Sequence, residues 1–201
     1  ALTTKDKLTW LDNAIRKDSA HHDAYQARVY IYYASRKYER MEHDAIAMCV
    51  LKPDDPQGHS LRAIALEKME QYADALAYCD QALALPLKED SQHFTLWSQR
   101  CDLLMRLGDY EGVIISAEEG LTLFPNEAKP YFHMFCARTA QGDYQTAATH
   151  YHHVMRTMPT KAQWFKDWAM KYVFDRLEAE QPWHPAGSEP SAVAFLPMLE
   201  A

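Results

Sequence analysis

The chain has 201 residues, of which 48% are hydrophobic, 24% charged and 12% aromatic, the composition of a folded globular protein rather than a disordered one. Six Gly and ten Pro exclude collagen-like and Gly-rich low-complexity classes. With 21 Lys plus Arg against 28 Asp plus Glu, the net charge of −7 has the wrong sign for non-specific phosphate binding, so nucleic acid is not expected as a partner.

The first predicted helix opens at Thr3-x-x-Asp6, the spacing of a capping box, and carries Leu8, Leu11 and Ile15. Ala14 precedes Met48 by 34 residues, which puts this helix in phase with the helix that carries Met48. A turn-plus-helix signature then recurs. It is weak at Lys37-Tyr38-Glu39-Arg40-Met41 and clear at Glu70-Gln71-Tyr72-Ala73-Asp74-Ala75-Leu76, Leu107-Gly108-Asp109-Tyr110-Glu111-Gly112-Val113 and Gln141-Gly142-Asp143-Tyr144-Gln145-Thr146-Ala147. Tyr38, Tyr72, Tyr110 and Tyr144 fall at intervals of 34, 38 and 34 residues, and each copy closes on a proline, at Pro53, Pro86, Pro125 and Pro159. The period is that of a helix-turn-helix repeat. Gly108 and Gly142 can take φ > 0 and end the first helix of a pair; Asp109 and Asp143 suit the N-terminus of the second. The four extra residues of the middle interval fall in the charged connector Pro86–His93, which predicts a lengthened surface turn. A helix capped by Thr160 is expected next, its apolar stripe formed by Phe165, Trp168, Ala169, Tyr172 and Leu177. Residues 181–201 hold four of the ten prolines, yet 192–199 are apolar enough to require a surface on which to bury Phe195, Leu196 and Leu199.

These residues resemble the tetratricopeptide repeat (TPR), a 34-residue unit with an aromatic and Leu-Gly in its first helix, a Tyr opening the second, a small residue and a closing Pro. The third copy fits best, with Trp97, Leu104, Leu107-Gly108, Tyr110, Leu121 and Pro125; the fourth offers Tyr131, Gly142, Tyr144, Ala147, Tyr151 and Pro159. The first two lack the turn glycine, having Arg36 and Glu70 there, and the second has His59 where the family favours a large aromatic. The fold expected is an all-α solenoid of about ten helices: a capping helix in 1–21, four units (22–55, 56–90, 91–127 and 128–159), a capping helix in 160–180 and the tail 181–201. Such hairpins cannot bury their apolar faces alone and must stack, with polar-faced ends.

The resemblance implies a concave groove lined by Gln26, Tyr30 and Tyr33 from the first unit, Leu61 and Ile64 from the second, Gln99, Asp102 and Met105 from the third, and Lys129, Phe132, His133 and Cys136 from the fourth. Family members that grip a C-terminal carboxylate use a Lys/Asn/Asn/Lys/Arg set; the matching positions here are Gln26, Tyr30, Leu61, Thr95 and Gln99, so that clamp is missing. The expected ligand is a protein or peptide segment with apolar anchors, the module serving as an adaptor, co-chaperone or scaffold. The alternative is a structural, self-associating repeat protein. The tail is expected to dock on its own chain or on a second copy.

Cys49, Cys79, Cys101 and Cys136 form no CxxC pair, which predicts reduced, packed thiols and a cytoplasmic location, with a mature exported chain as the alternative. His133 and Cys136 share a helix face, with Asp102 at the position of Cys136 one unit earlier, but no oxyanion donor accompanies them. Of His150, His152 and His153 at most two could meet a metal. There is no phosphate loop, HExxH, G-x-S-x-G or Rossmann fingerprint. The expectation is a non-enzymatic chain with no cofactor and no metal. No run reaches the ~20 apolar residues of a membrane span, and the first six residues lack the apolar core of a signal peptide.

Overall fold

A computed structural model describes residues 2–87, 89–179, 195 and 197–199. Among them are the helices α1 (Thr4–Lys17), α2 (His22–Ala34), α3 (Tyr38–Leu51), α4 (Pro56–Lys68), α5 (Tyr72–Ala84), α6 (Asp90–Leu107), α7 (Tyr110–Leu123), α8 (Lys129–Gln141), α9 (Tyr144–Thr157) and α10 (Pro159–Ala179), with 195 and 197–199 also helical, and no strand. They fall into two units, Ala1–Leu107 and Gly108–Ala201. In the first, α1 to α5 each pack on the helix that comes next; in the second, α7 packs on α8, α8 on α9, and α10 on both α8 and α9.

Local chemistry sets the helix ends. Thr3 and Asp6 form the capping box, the Thr3 hydroxyl accepting from the Asp6 N–H at 3.2 Å while the Asp6 carboxylate accepts from the Thr3 N–H at 3.0 Å. Asp109 and Asp143 cap α7 and α9 by accepting from the Gly112 and Thr146 N–H groups, and Asp55 caps α4 ahead of Pro56. Gly108 and Gly142 adopt φ of 75° and 81°. Arg36 and Glu70 take the same left-handed conformation at 55° and 61°, despite their side chains.

Unit 1 holds two apolar clusters. One joins Val29 and Tyr32 of α2, Met41, Ala45 and Met48 of α3, and Leu61 and Ala65 of α4. The other joins Ala63 and Leu66 of α4, Ala75, Cys79 and Ala82 of α5, and Leu96 and Leu103 of α6. Alongside them Asp44, 1% exposed, receives two hydrogen bonds from the Arg28 guanidinium at 2.7 and 2.6 Å, which compensates its burial. Trp97 is 2% exposed with Phe94 5.8 Å away. Unit 2 is aromatic at its centre: Phe135 and Phe165 are fully buried with ring centroids 6.0 Å apart, and Tyr151 lies 5.9 Å from Phe165.

Three local expectations are corrected. The extra residues before the third unit do not all become loop, because α6 begins at Asp90 and runs 18 residues, against 13 in α2, α4 and α8. Helix α10 begins at Pro159, so Thr160 sits inside its first turn; proline suits that first position because its fixed φ is helical and its missing N–H would lack a partner anyway. The buried stripe of α10 is Phe165, Ala169 and Val173, at i, i+4 and i+8, while Trp168 remains 49% exposed. The prolines at 182, 185 and 190 and the Leu196 of the tail lie outside the described residues, as does the side chain of Leu177.

Candidate functional site: an uncharged pocket in the first unit

Helices α2, α4 and α6 line an open pocket of about 350 Å³. Tyr30 projects into it from α2; Pro56, Gln57, Ser60, Leu61 and Ile64 come from α4; Ser91, Gln92, Thr95 and Leu96 come from α6; Leu87 of the preceding connector completes the wall. Helical spacing explains the α4 contribution, since Gln57, Leu61 and Ile64 stand at i, i+4 and i+7 on one face. The α6 contribution arises from its extra N-terminal turn, which carries Ser91 and Gln92 to the wall. Within that turn the Thr95 hydroxyl donates to the Ser91 carbonyl at 2.8 Å. Across the pocket the Gln57 side-chain amide donates to the Tyr30 hydroxyl at 3.4 Å, and Tyr30 keeps half its surface exposed.

No lining residue carries a formal charge. Five are aliphatic or proline and six offer a hydroxyl or amide. Such a lining suits an apolar side chain flanked by peptide groups, and it has nothing to neutralise a carboxylate or a phosphate.

The groove positions implied by family resemblance separate here. Tyr30, Leu61 and Ile64 line the one pocket. Gln26 is half-buried on α2; Tyr33, 45% exposed, has its ring 6.5 Å from that of Tyr38. Gln99 donates to the Glu67 carboxylate at 3.3 Å, Asp102 is exposed, and Met105 is half-buried towards the end of α6. Sequence reasoning missed Gln57, Ser60, Ser91 and Gln92: the first two were signalled by their helical spacing from Leu61 and Ile64, the others only by the extension of α6.

In unit 2, Lys129 and Phe132 are half-buried, and the Phe132 ring meets Trp164 and Phe165 edge-on at 5.7 and 5.9 Å. His133 is 1% exposed; burial, helped by the charge of Lys129, pushes its imidazole down to about 3. Cys136 is 4% exposed and its carbonyl accepts from the Tyr172 hydroxyl at 3.2 Å. A neutral, buried imidazole cannot supply the positive charge that would activate the neighbouring thiol. Desolvation likewise pushes the Cys79 thiol up to about 12 and raises that of Cys49. The histidines of α9 go to different neighbours: His153 lies against Tyr131 at 4.6 Å, His150 is 6.3 Å from the same ring, and the His152 Nε2–H donates to the Met198 carbonyl at 2.7 Å. Among the described residues no group of three or more His, Cys, Asp or Glu could hold a metal ion.

No family model matches the chain. It is 27% identical over 106 residues to Protein FlbA of Caulobacter vibrioides, a match covering 53% of this chain and 17% of that protein. Among solved structures it is similar to MamA, with a TM-score of 0.69 at 12% identity over 80% of this chain and 91% of MamA. It is also similar to YrrB, described as a TPR protein with an unusual peptide-binding site, with a TM-score of 0.60 at 13% identity over 95% of this chain and 98% of YrrB. Successive antiparallel helix pairs, a Tyr opening each second helix and a left-handed residue closing each first one agree with these likenesses, and the chain has the tetratricopeptide-repeat fold.

Proposed function

We propose that this chain is a non-catalytic adaptor or scaffold module that holds a partner protein by a short, uncharged peptide segment, one apolar side chain of which enters the α2–α4–α6 pocket. The observation that carries this reading is the lining itself: eleven residues without a formal charge, five aliphatic or proline and six bearing a hydroxyl or amide. The positions where a carboxylate clamp would stand, Gln26, Tyr30, Leu61, Thr95 and Gln99, supply no cation, so the ligand is an internal segment rather than a free C-terminus. The YrrB likeness supports a peptide ligand in kind only. The four units 22–55, 56–90, 91–127 and 128–159 give the repeat frame, and the other groove positions that precede Gly108, namely Gln26, Tyr33, Gln99, Asp102 and Met105, would extend the contact to a longer partner, whereas burial keeps His133 and Cys136 from reaching one. We read the location as cytoplasmic on the strength of four free thiols; no helix among the described residues is long and apolar enough to cross a membrane. The tail is read as docking within its own chain, supported by the burial of Phe195 and Leu199.

Peptides selected from a random display library against the intact chain test this. Winners should be uncharged around a Leu, Met or Phe anchor, and Ile64→Glu or Tyr30→Glu should weaken them at least ten-fold while circular dichroism shows unchanged helicity. Selection of acidic C-terminal peptides, or equal binding by both variants, refutes the proposal. Light scattering in which the free chain self-associates and the same substitutions dissolve the assembly would assign the pocket to a second copy instead.

A further inference from the structure

The four repeat tyrosines are not equivalent. Tyr38, Tyr72 and Tyr110 are half-buried, whereas Tyr144 is buried. A ring distant in sequence lies against it: Phe195, with centroids 5.0 Å apart. Phe195 also stacks on Phe135 at 5.8 Å with an interplanar angle of 27°, and is itself fully buried. Phe135 stands where the earlier units have Val29, Ala63 and Cys101, so in this unit alone the position offers a large aromatic face. Residues 195 and 197–199 are helical, which sets Leu199 one turn beyond Phe195 on the same side, and Leu199 is 6% exposed. The His152 Nε2–H then donates to the Met198 carbonyl at 2.7 Å.

We propose that this face of α8 and α9 is a second binding site, selective for short helices presenting Phe and Leu four residues apart, and that residues 195–199 are its tethered occupant, displaced by a partner segment with the same anchors. The inference rests on the reading of the tail as docking in cis and is independent of the pocket in unit 1. Two anchors and one side-chain hydrogen bond form a small contact. Fifteen residues, 180–194, separate this helix from the end of α10. The covalent link makes the competition intramolecular, so an effective concentration about ten times the intrinsic dissociation constant keeps the site roughly nine-tenths filled in cis. A competitor then meets about a ten-fold penalty, which vanishes when the tail's anchors are removed.

The test uses the full chain and a fluorescein-labelled peptide of the sequence of residues 190–201. Expected is binding about ten-fold tighter to the Phe195→Ala/Leu199→Ala chain than to the intact one, with no binding of a peptide whose own Phe and Leu are replaced by Ala. The unlabelled peptide should also raise the variant's Tm. Equal binding to both chains, or binding of the anchorless peptide, overturns the proposal. So does an unfolded variant by circular dichroism, which would make the segment part of the unit's core rather than its ligand. A concentration-dependent dimer abolished by the double substitution would place the occupant on a second copy and overturn the cis assignment. Ile64→Glu should leave this titration unchanged, which separates failure here from failure of the pocket reading.

Discussion

Replacing Glu70 by Gly should stabilise the protein, although it removes a side chain and loosens the unfolded chain. Helices α2, α4 and α8 end in the same hydrogen-bond pattern: Lys37 N–H to Tyr32 O at 2.9 Å with Arg36 N–H to Tyr33 O at 3.0 Å, Gln71 to Leu66 at 2.9 Å with Glu70 to Glu67 at 3.0 Å, and Asp143 to Arg138 at 2.9 Å with Gly142 to Thr139 at 3.1 Å. The pattern requires a left-handed residue between helices, and φ is 55° at Arg36, 61° at Glu70 and 81° at Gly142. For a residue with a Cβ that conformation costs about 1–2 kcal/mol. Glycine relieves it but gains about 0.4–1 kcal/mol of unfolded-state entropy. The net is a stabilisation of about 0.5–1 kcal/mol at each of Arg36→Gly and Glu70→Gly, and the two sites share no contact through this motif, so their effects should add to within about 0.5 kcal/mol. The reverse substitution isolates the term: a Cβ built on Gly142 meets nothing within 4 Å, so Gly142→Ala should destabilise through backbone conformation alone. Urea denaturation followed by circular dichroism reads both signs, and thermal melts should shift by about 2–4 °C per kcal/mol. A less stable Glu70→Gly together with a neutral Gly142→Ala would refute the reasoning, since it would place the cost of these turns in side-chain contacts.

Trp97→Ala should destabilise by about 3–5 kcal/mol, measured by chemical denaturation, because the indole is buried among α6 and its neighbours. Gly58→Ala should cost about 1–3 kcal/mol in the same assay, since the added Cβ would lie 2.9 Å from Cys49 Sγ and 3.0 Å from the Cys49 backbone nitrogen, and the backbone cannot step aside as a flexible side chain could. His133 makes stability depend on pH: its folded pKa is held down at about 3 by burial, while the unfolded value is about 6.5, so between the two the unfolded state binds the extra proton. Stability should therefore fall as pH drops from 6.5 towards 3, by about 2 kcal/mol at pH 5, and His133→Leu should flatten most of that slope, leaving a smaller part from His150, whose pKa burial also lowers.

The hairpins were legible because each depends on residues within its own 34: a tyrosine to open the second helix, a left-handed residue to close the first, a proline at the end. The closing residue shows how far local preference yields. Arg36 and Glu70 resist the left-handed region and adopt it anyway, because stacking of α2 on α3 and of α4 on α5 fixes the chain reversal. Polarity alone predicts loop where α6 begins. Asp90, Ser91, Gln92 and His93 look like loop, yet no glycine or proline stands between Leu87 and the helix, and Glu89 and Asp90 place negative charge where a helix N-terminus favours it. Two residues of the pocket wall, Ser91 and Gln92, stand in that polar stretch.

The site residues of the last unit posed a different difficulty. A repeat's register says which face of α8 carries Phe132, His133 and Cys136, but their exposure belongs to the neighbour that covers them, and at the end of an array the period no longer supplies one. There α10 brings Trp164, Phe165 and Tyr172 across α8, and the His133 imidazole is left neutral in the interior. The apolarity of residues 192–199 signalled a buried destination, since exposing Phe and Leu side chains costs roughly 1.5–3 kcal/mol each. It could not say which surface, because Phe135 and Tyr144 come together only once α8 and α9 have paired. What identified the surface was a departure from the repeat, a phenylalanine at the position of Val29, Ala63 and Cys101, and in a periodic chain such departures are where a non-periodic neighbour is to be sought.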